Sequence, residues 1–226
     1  MARQLVFDLP VRAALGRGDF YVAPSNAMAV AMIDAAPNWP TQQLILTGPA
    51  GSGKTHLAQV WSDTSGAPVI AATDMAGQDI PALASAPCIV EDIPLIASDD
   101  TALTALFHLY NLSRAEGQPL LMTGREAPRH WNLALPDLQS RIDSVFQVEM
   151  SPPNDTLLAA VLGKLFADRQ ITPKHNVIPF LLRHTERSFA AANEIVARLD
   201  QLSLEEGRTI SRSLAARLVG DTDEKA

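Results

Sequence analysis

The chain has one cysteine, Cys88, among 226 residues, so no internal disulfide can hold it together. A lone thiol fits a reducing compartment, and the expectation is a cytoplasmic protein. Histidine is scarce too: positions 56, 108, 130, 175 and 184 show no metal-ligand spacing, which with one cysteine removes a zinc reading. Long apolar runs are missing. The longest unbroken one, Ala27 to Ile33, falls far short of a bilayer, and the N-terminus has no apolar signal-peptide core. Neither a membrane anchor nor a leader is therefore expected. Positive charge is also in short supply, since 18 Lys and Arg against 25 Asp and Glu give a net charge of −7. That argues against a broad non-specific nucleic-acid surface, though not against a local basic patch. What remains is a 47% hydrophobic chain long enough for one large domain, or a domain with a smaller appendage.

The most informative stretch is Gly48-Pro49-Ala50-Gly51-Ser52-Gly53-Lys54-Thr55, which fits the phosphate-loop pattern G-x-x-x-x-G-K-[ST]. The apolar run Gln43 to Thr47 precedes it and reads as a buried strand. Lys54 to Asp63 follows with helical spacing of Leu57, Ala58, Val60 and Trp61. Glycines let successive backbone N–H groups turn toward phosphate oxygens, and the helix N-terminus adds partial positive charge. In such a loop the lysine, Lys54, reaches the β- and γ-phosphates and the hydroxyl of Thr55 sits on Mg²⁺. A nucleoside di- or triphosphate is the expected ligand, with Gly48, Pro49, Ala50, Gly51, Ser52, Gly53 and His56 completing the cradle.

Around that unit the pattern alternates between strands and helices. A helix is expected over Ala27 to Ala35, with Ser25 or Asn26 as N-cap. Strand candidates begin at about Leu44, Val69, Ile89, Leu120 and Val145, the second spanning Pro68 to Thr73. Cys88 to Ile93 is an apolar strand carrying two acids near its end, Glu91 and Asp92. Either they stand beside a Mg²⁺ at the carboxyl edge of the sheet, or the strand simply exits into a polar loop. Cys88 reads as a small core residue. Asp99 to Gly117 is a helix whose Leu103, Leu106, Phe107 and Tyr110 form a core stripe. Such alternation predicts an α/β domain with a five-stranded parallel sheet flanked by helices. At Ser151-Pro152-Pro153-Asn154 the pattern becomes helical only, with segments at 155–169, 175–185, 188–206 and 212–219. The expected layout is therefore an arm at 1–18, the α/β domain at 19–151, a small all-helical lid at 152–220, and a disordered tail at 221–226. Within the arm, Gln4-Leu5-Val6-Phe7-Asp8-Leu9 crowds apolar residues ahead of Pro10. It either packs as an edge strand or docks in a partner's apolar pocket.

A phosphate-loop sheet followed by a small helical lid resembles the AAA+ ATPases. Several motifs are similar to the DnaA-related branch of that family: Phe20-Tyr21-Val22 with Ser25-Asn26, residues 48–55, Ile89 to Ile93, Met122-Thr123-Gly124, and Leu133 to Arg141. The likeness runs over nearly the whole chain. The last motif and the Gln4–Leu9 peptide resemble the short regulators within that branch, which dock on the β sliding clamp and act on the initiator DnaA. The resemblance implies that Tyr21, Val22 and Asn26 lie near adenine. It implies that Gln4, Leu5, Phe7 and Leu9 contact the clamp, and that Arg141 is an arginine finger presented to a neighbour's nucleotide. A guanidinium there offsets charge developing on a γ-phosphate; the plainer alternative for Arg141 is a surface salt bridge.

Some positions depart from the family pattern. Glu91 followed by Asp92 stands where the initiator has two aspartates. Arg125 replaces the usual sensor acid, and the lid's sensor arginine aligns with Ala190, leaving Arg187 one turn earlier as a substitute. These changes favour stable holding of ADP or ATP over rapid turnover. The initiator's origin-reading helix-turn-helix has no counterpart, so DNA is expected to be met only through the clamp. The resemblance thus implies a regulator that stimulates hydrolysis by DnaA, with homodimerisation left open. Its rivals are a self-sufficient AAA+ ATPase such as a helicase loader, and an adaptor that binds DnaA without stimulating hydrolysis.

Overall fold

The computed structural model describes residues 22–36 and 38–223, apart from the side chains of 221–223. Chain contacts divide it into two units, one over Pro24–Pro152 and one beginning at Pro153.

The first unit opens with helix α1 (Ala27–Asp34). Asn26 occupies its N-cap position, but its side chain makes no capping bond to the helix, contrary to the expected role. Strand β1 (Gln43–Thr47) is buried throughout and leads into helix α2 (Lys54–Ser65), which ends at Gly66 in the left-handed conformation. Strand β2 is short, Val69–Ala71; the rest of the expected strand winds into a 3₁₀ turn at Ala72–Gly77, which buries Ala72 and Met75. Helix α3 (Ile80–Ala84) is capped by Asp79. Strand β3 covers Cys88–Glu91 and stops two residues earlier than the sequence pattern indicates. Asp92 takes a left-handed conformation (φ 57°) and begins a 3₁₀ turn over Ile93–Ile96.

Helix α4 (Asp100–Ala115) starts where the Asp99 carboxylate accepts from the N–H groups of Thr101 and Ala102. Strand β4 (Leu120–Gly124), helix α5 (Pro136–Asp143) and strand β5 (Phe146–Glu149) complete the unit. All pairings are parallel and the strand order is β2-β3-β4-β1-β5. Because β1 is buried throughout, its central residues Leu44, Ile45 and Leu46 are apolar without alternation. Leu103, Leu106 and Tyr110 of α4 are fully covered and pack with Val90, Leu120 and Met122 of the sheet. Phe107, expected in the same stripe, is only partly buried. Trp39 and Trp61 pack together elsewhere in the unit, their rings tilted by 41° with centroids 5.0 Å apart.

Within the second unit, helices α6 (Asp155–Asp168), α7 (Val177–His184), α8 (Phe189–Glu206) and α9 (Arg212–Asp223) enclose their own core. It includes Leu158, Leu162, Phe166, Leu181, Val196 and Leu199. Local signals set the ends: Asn154 caps α6, Ser188 caps α8, and Gly207 turns left-handed to finish α8. α9 continues to Asp223, three residues into the stretch expected to be disordered. Among the described residues no helix is long and apolar enough to cross a membrane.

Candidate functional site

Parallel pairing brings the carboxyl ends of the strands to one edge. Thr47 pairs with Gly124 on one side and Glu149 on the other, while Val90 of β3 pairs with Met122 of β4. Residues 48–55, Glu91, Asp92 and Arg125 all follow those ends, so topology gathers groups that are far apart in sequence. Gly48 is required there by shape. Its φ is +146°, and a Cβ would lie 2.3 Å from the Met150 carbonyl oxygen. The Gly48 N–H donates to the Arg125 carbonyl at 3.2 Å, tying the loop to the end of β4. Gly53, also left-handed (φ +99°), is the N-cap of α2 and offers no side chain to cap it. The first N–H groups of α2 are thus left for a ligand to satisfy.

Lys54 is 7% exposed, and its ammonium donates to the carbonyls of Gly48 at 2.7 Å and Pro49 at 3.0 Å. Burial lowers its pKa; the carboxylate of Asp92 opposes that, the Arg125 guanidinium adds to it, and Glu91 opposes it. The Glu91 carboxyl is raised, mainly by burial, while a hydrogen bond from Thr55 and the Lys54 charge pull it back and Asp92 pushes it up. Two polar atoms in this cluster are buried without a protein partner, Ser52 Oγ and Glu91 Oε1. Such orphans are rare in folded proteins and mark where a ligand or ion supplies the missing bond. Asp92, in the left-handed region with φ 57°, is held by its N–H donating to Thr123 Oγ1 at 3.0 Å.

A polyphosphate fits this cradle, which has uncapped helix N–H groups, a buried lysine and an unpaired serine hydroxyl. A magnesium ion fits on stricter terms. Thr55, Glu91 and Asp92 offer too few oxygens for an octahedral shell, so phosphate oxygens and water have to complete it. Consistent with that, among the described residues no group of three or more His, Cys, Asp or Glu is placed to hold a metal alone.

The remaining expected site residues fall elsewhere. Pro49, Ala50 and His56 are exposed on the loop and the first turn of α2, Asn26 is buried, and Val22 is half-buried. Tyr21 and the peptide residues Gln4, Leu5, Phe7 and Leu9 lie outside the described residues. Arg187 belongs to the second unit, where its guanidinium pairs with Asp155 at 3.1 Å. Arg141 is exposed on α5 with its Cζ 5.2 Å above the Phe107 ring, and among the described residues it has no carboxylate partner. Of the two readings considered for it, a surface salt bridge is not seen among the described residues. Cys88 is fully buried, and burial pushes its thiol up to about 11, which leaves it inert at neutral pH.

Sequence reasoning missed three supports: the Thr123 hydroxyl under Asp92, the Met150 carbonyl against Gly48, and Trp131. A Cβ at Gly124 would lie 2.5 Å from the Trp131 ring. The Thr-Gly pair at the end of β4 was visible, but not what each residue touches.

A phosphate loop on a five-stranded parallel sheet in this strand order, joined to a helical unit, is the AAA+ P-loop fold. No family model matches the sequence. Among solved structures, the chain is similar to domain III of the Thermotoga maritima replication initiation protein DnaA. The TM-score is 0.75 at 16% identity, over 90% of this chain and 94% of that one. It is also similar to AMPPCP-bound DnaA from Aquifex aeolicus, with TM-score 0.69 at 18% identity over 83% of this chain. A DNA replication initiation factor gives TM-score 0.73 at 15% identity, again over 83%. The chain spans 65% and 64% of the length of those last two proteins. At such identities the likeness is one of fold.

Proposed function

We propose that this chain is a nucleotide-binding AAA+ regulator of chromosomal replication initiation of the Hda type. It docks on the β sliding clamp through Gln4–Leu9 and stimulates ATP hydrolysis by DnaA, inactivating the initiator. Nucleotide binding is supported by the orphaned Ser52 hydroxyl and the uncapped start of α2 beside buried Lys54. The regulatory part rests on Arg141, an exposed guanidinium with no carboxylate partner among the described residues.

A bound magnesium nucleotide, ADP or ATP, supplies the polyphosphate charge that this loop is shaped to hold. Lys54 and the first N–H groups of α2 would hold its phosphate oxygens and offset their charge. Thr55 and Glu91 would take the cation side. The Glu91-Asp92 pair, and Arg125 and Ala190 at the sensor positions, support a site that holds its nucleotide more than it turns it over. Phe107 keeps the Arg141 guanidinium extended from α5 through a cation–π contact, which leaves its N–H donors free for a partner's phosphate. An arginine finger supplied in trans is worth about 10³–10⁵ in rate.

The decisive measurement mixes this protein with ATP-bound DnaA and clamp loaded on DNA, and follows conversion of the initiator's ATP to ADP. Stimulation is expected, with Arg141→Ala reducing it by about 10³-fold. The pair Gln4→Ala with Leu5→Ala should abolish its dependence on the clamp. Persistence of full stimulation in Arg141→Ala refutes the finger, and persistence in the double variant refutes the docking peptide. An intact protein that binds DnaA without stimulating it is an adaptor; one that hydrolyses ATP unaided and ignores DnaA is a motor or loader.

A further inference from the structure

We infer that the second unit carries a binding groove for the phosphate backbone of nucleic acid, formed where α8 turns into α9. This departs from the expectation that DNA is met only through the clamp, and it stands independently of the regulatory reading. The stretch 207–220 contains Arg208, Arg212 and Arg217 and no acid, in a chain whose net charge is −7. Left-handed Gly207 reverses the chain, and the Ser203 hydroxyl donates to the Arg208 carbonyl to fix the turn. Lys174 is brought alongside by its N–H donating to the Ile210 carbonyl at 3.0 Å.

The result is an open groove of about 600 Å³ lined by Lys174, Arg208 and Arg217, by the hydroxyls of Thr209, Ser211 and Ser213, and by Glu206. Glu206 is the single acid in that lining, and it is engaged by both Arg217 and Arg208, the latter at 3.8 Å. One carboxylate cannot neutralise three cations, so the groove keeps a net charge of about +2. It also has spare donors, because each guanidinium carries five N–H groups in a fixed fork. The twelve-residue α9 begins here, with Ser211 at its start, and adds the partial positive charge of its N-terminus. Arginine and lysine, short hydroxyls and a helix N-terminus are the groups that contact phosphates in nucleic-acid complexes. An isolated phosphate would leave most of the groove unfilled. A run of backbone phosphates fits it.

The test uses the full chain and a fluorescein-labelled 25-base-pair duplex of arbitrary sequence, read by anisotropy. At 50 mM salt the expected Kd is on the order of 10⁻⁵ M, and the salt dependence should correspond to about three phosphate contacts. Arg208→Ala with Arg217→Ala should weaken binding about tenfold and reduce the salt slope by about two. Glu206→Gln should tighten binding a few-fold, a gain that a misfolded chain cannot produce. Arg114→Ala in the other unit should change nothing. No binding at 50 mM salt, an unchanged Kd in the double variant, or weakened binding by Glu206→Gln overturns the inference. Equal displacement of the duplex by inorganic phosphate at matched ionic strength overturns it in favour of a small-anion site. Equal displacement by polyglutamate overturns it in favour of an acidic protein partner.

Discussion

The two units solve different problems with the same chain. Residues 24–152 carry five Lys and Arg against thirteen Asp and Glu, whereas residues 153–226 carry ten of each. The acidic unit nevertheless keeps its phosphate-binding cation, Lys54, in its interior, and leaves Ser52 and Glu91 with unpaired buried atoms. The helical unit does the reverse. Asn154 and Ser188 cap α6 and α8, acids and bases pair on the surface, and no buried side-chain polar atom there lacks a partner among the described residues. Every orphaned buried side-chain atom among the described residues lies in the α/β unit, and Ser52 and Glu91 stand where a ligand is proposed to bind.

That contrast can be broken most directly at Lys54. Lys54→Ala should reduce affinity for ADP and ATP by on the order of 100-fold, which is about 2.7 kcal/mol, as read by titration with a fluorescent nucleotide analogue. The thermal transition of the ligand-free protein should move little, since the lysine's burial already disfavours its charge. Retained affinity would mean that the loop is only a tight turn.

A smaller effect compares backbone constraint with capping. Gly124→Ala should cost about 2 kcal/mol, because its Cβ would meet the Trp131 ring at 2.5 Å and the aromatic cannot yield freely. Asn154→Ala, which removes the α6 cap, should cost about 1 kcal/mol. Denaturant titration measures both, and equal losses would erase that distinction.

The smallest effect concerns pH. Folding raises the Glu91 pKa above its ordinary value of 4.5, so in the window from there upward the folded chain binds more protons than the unfolded one. Stability of the ligand-free protein should therefore fall as pH rises through that window. Glu91→Gln should flatten that fall and raise the transition temperature near neutrality by a degree or two, while weakening magnesium-dependent nucleotide binding. A steeper pH dependence in the variant would contradict the assigned cause.

Much of this was legible in the residues. The strand–loop–helix unit at 43–65 could be read because glycine spacing, an apolar run and helical periodicity each signal locally. The break at Pro152-Pro153 and the caps at Asp99, Asn154 and Ser188 have similar short-range chemistry. The strand ending at Glu91 was harder. Ile93 continues the apolar pattern, yet Asp92 leaves the strand because a hydroxyl 31 residues away takes its N–H. Phe107 fitted a core stripe by spacing, and only packing revealed that it is partly buried with Arg141 over its ring.

The sequence by itself determined that a phosphate loop opens a helix, that parallel strands alternate with helices, and that a helical segment follows, since all of these depend on neighbours within a few turns. Tertiary structure alone decided the strand order β2-β3-β4-β1-β5, which sets Arg125 and Glu91 beside the loop, and the contacts that forbid a side chain at Gly48 and Gly124. It alone folded Arg208, Arg217 and Lys174 around one groove. Those outcomes rest on contacts between residues distant in the chain, and no local pattern encodes which distant partner a strand end or a charged side chain will meet.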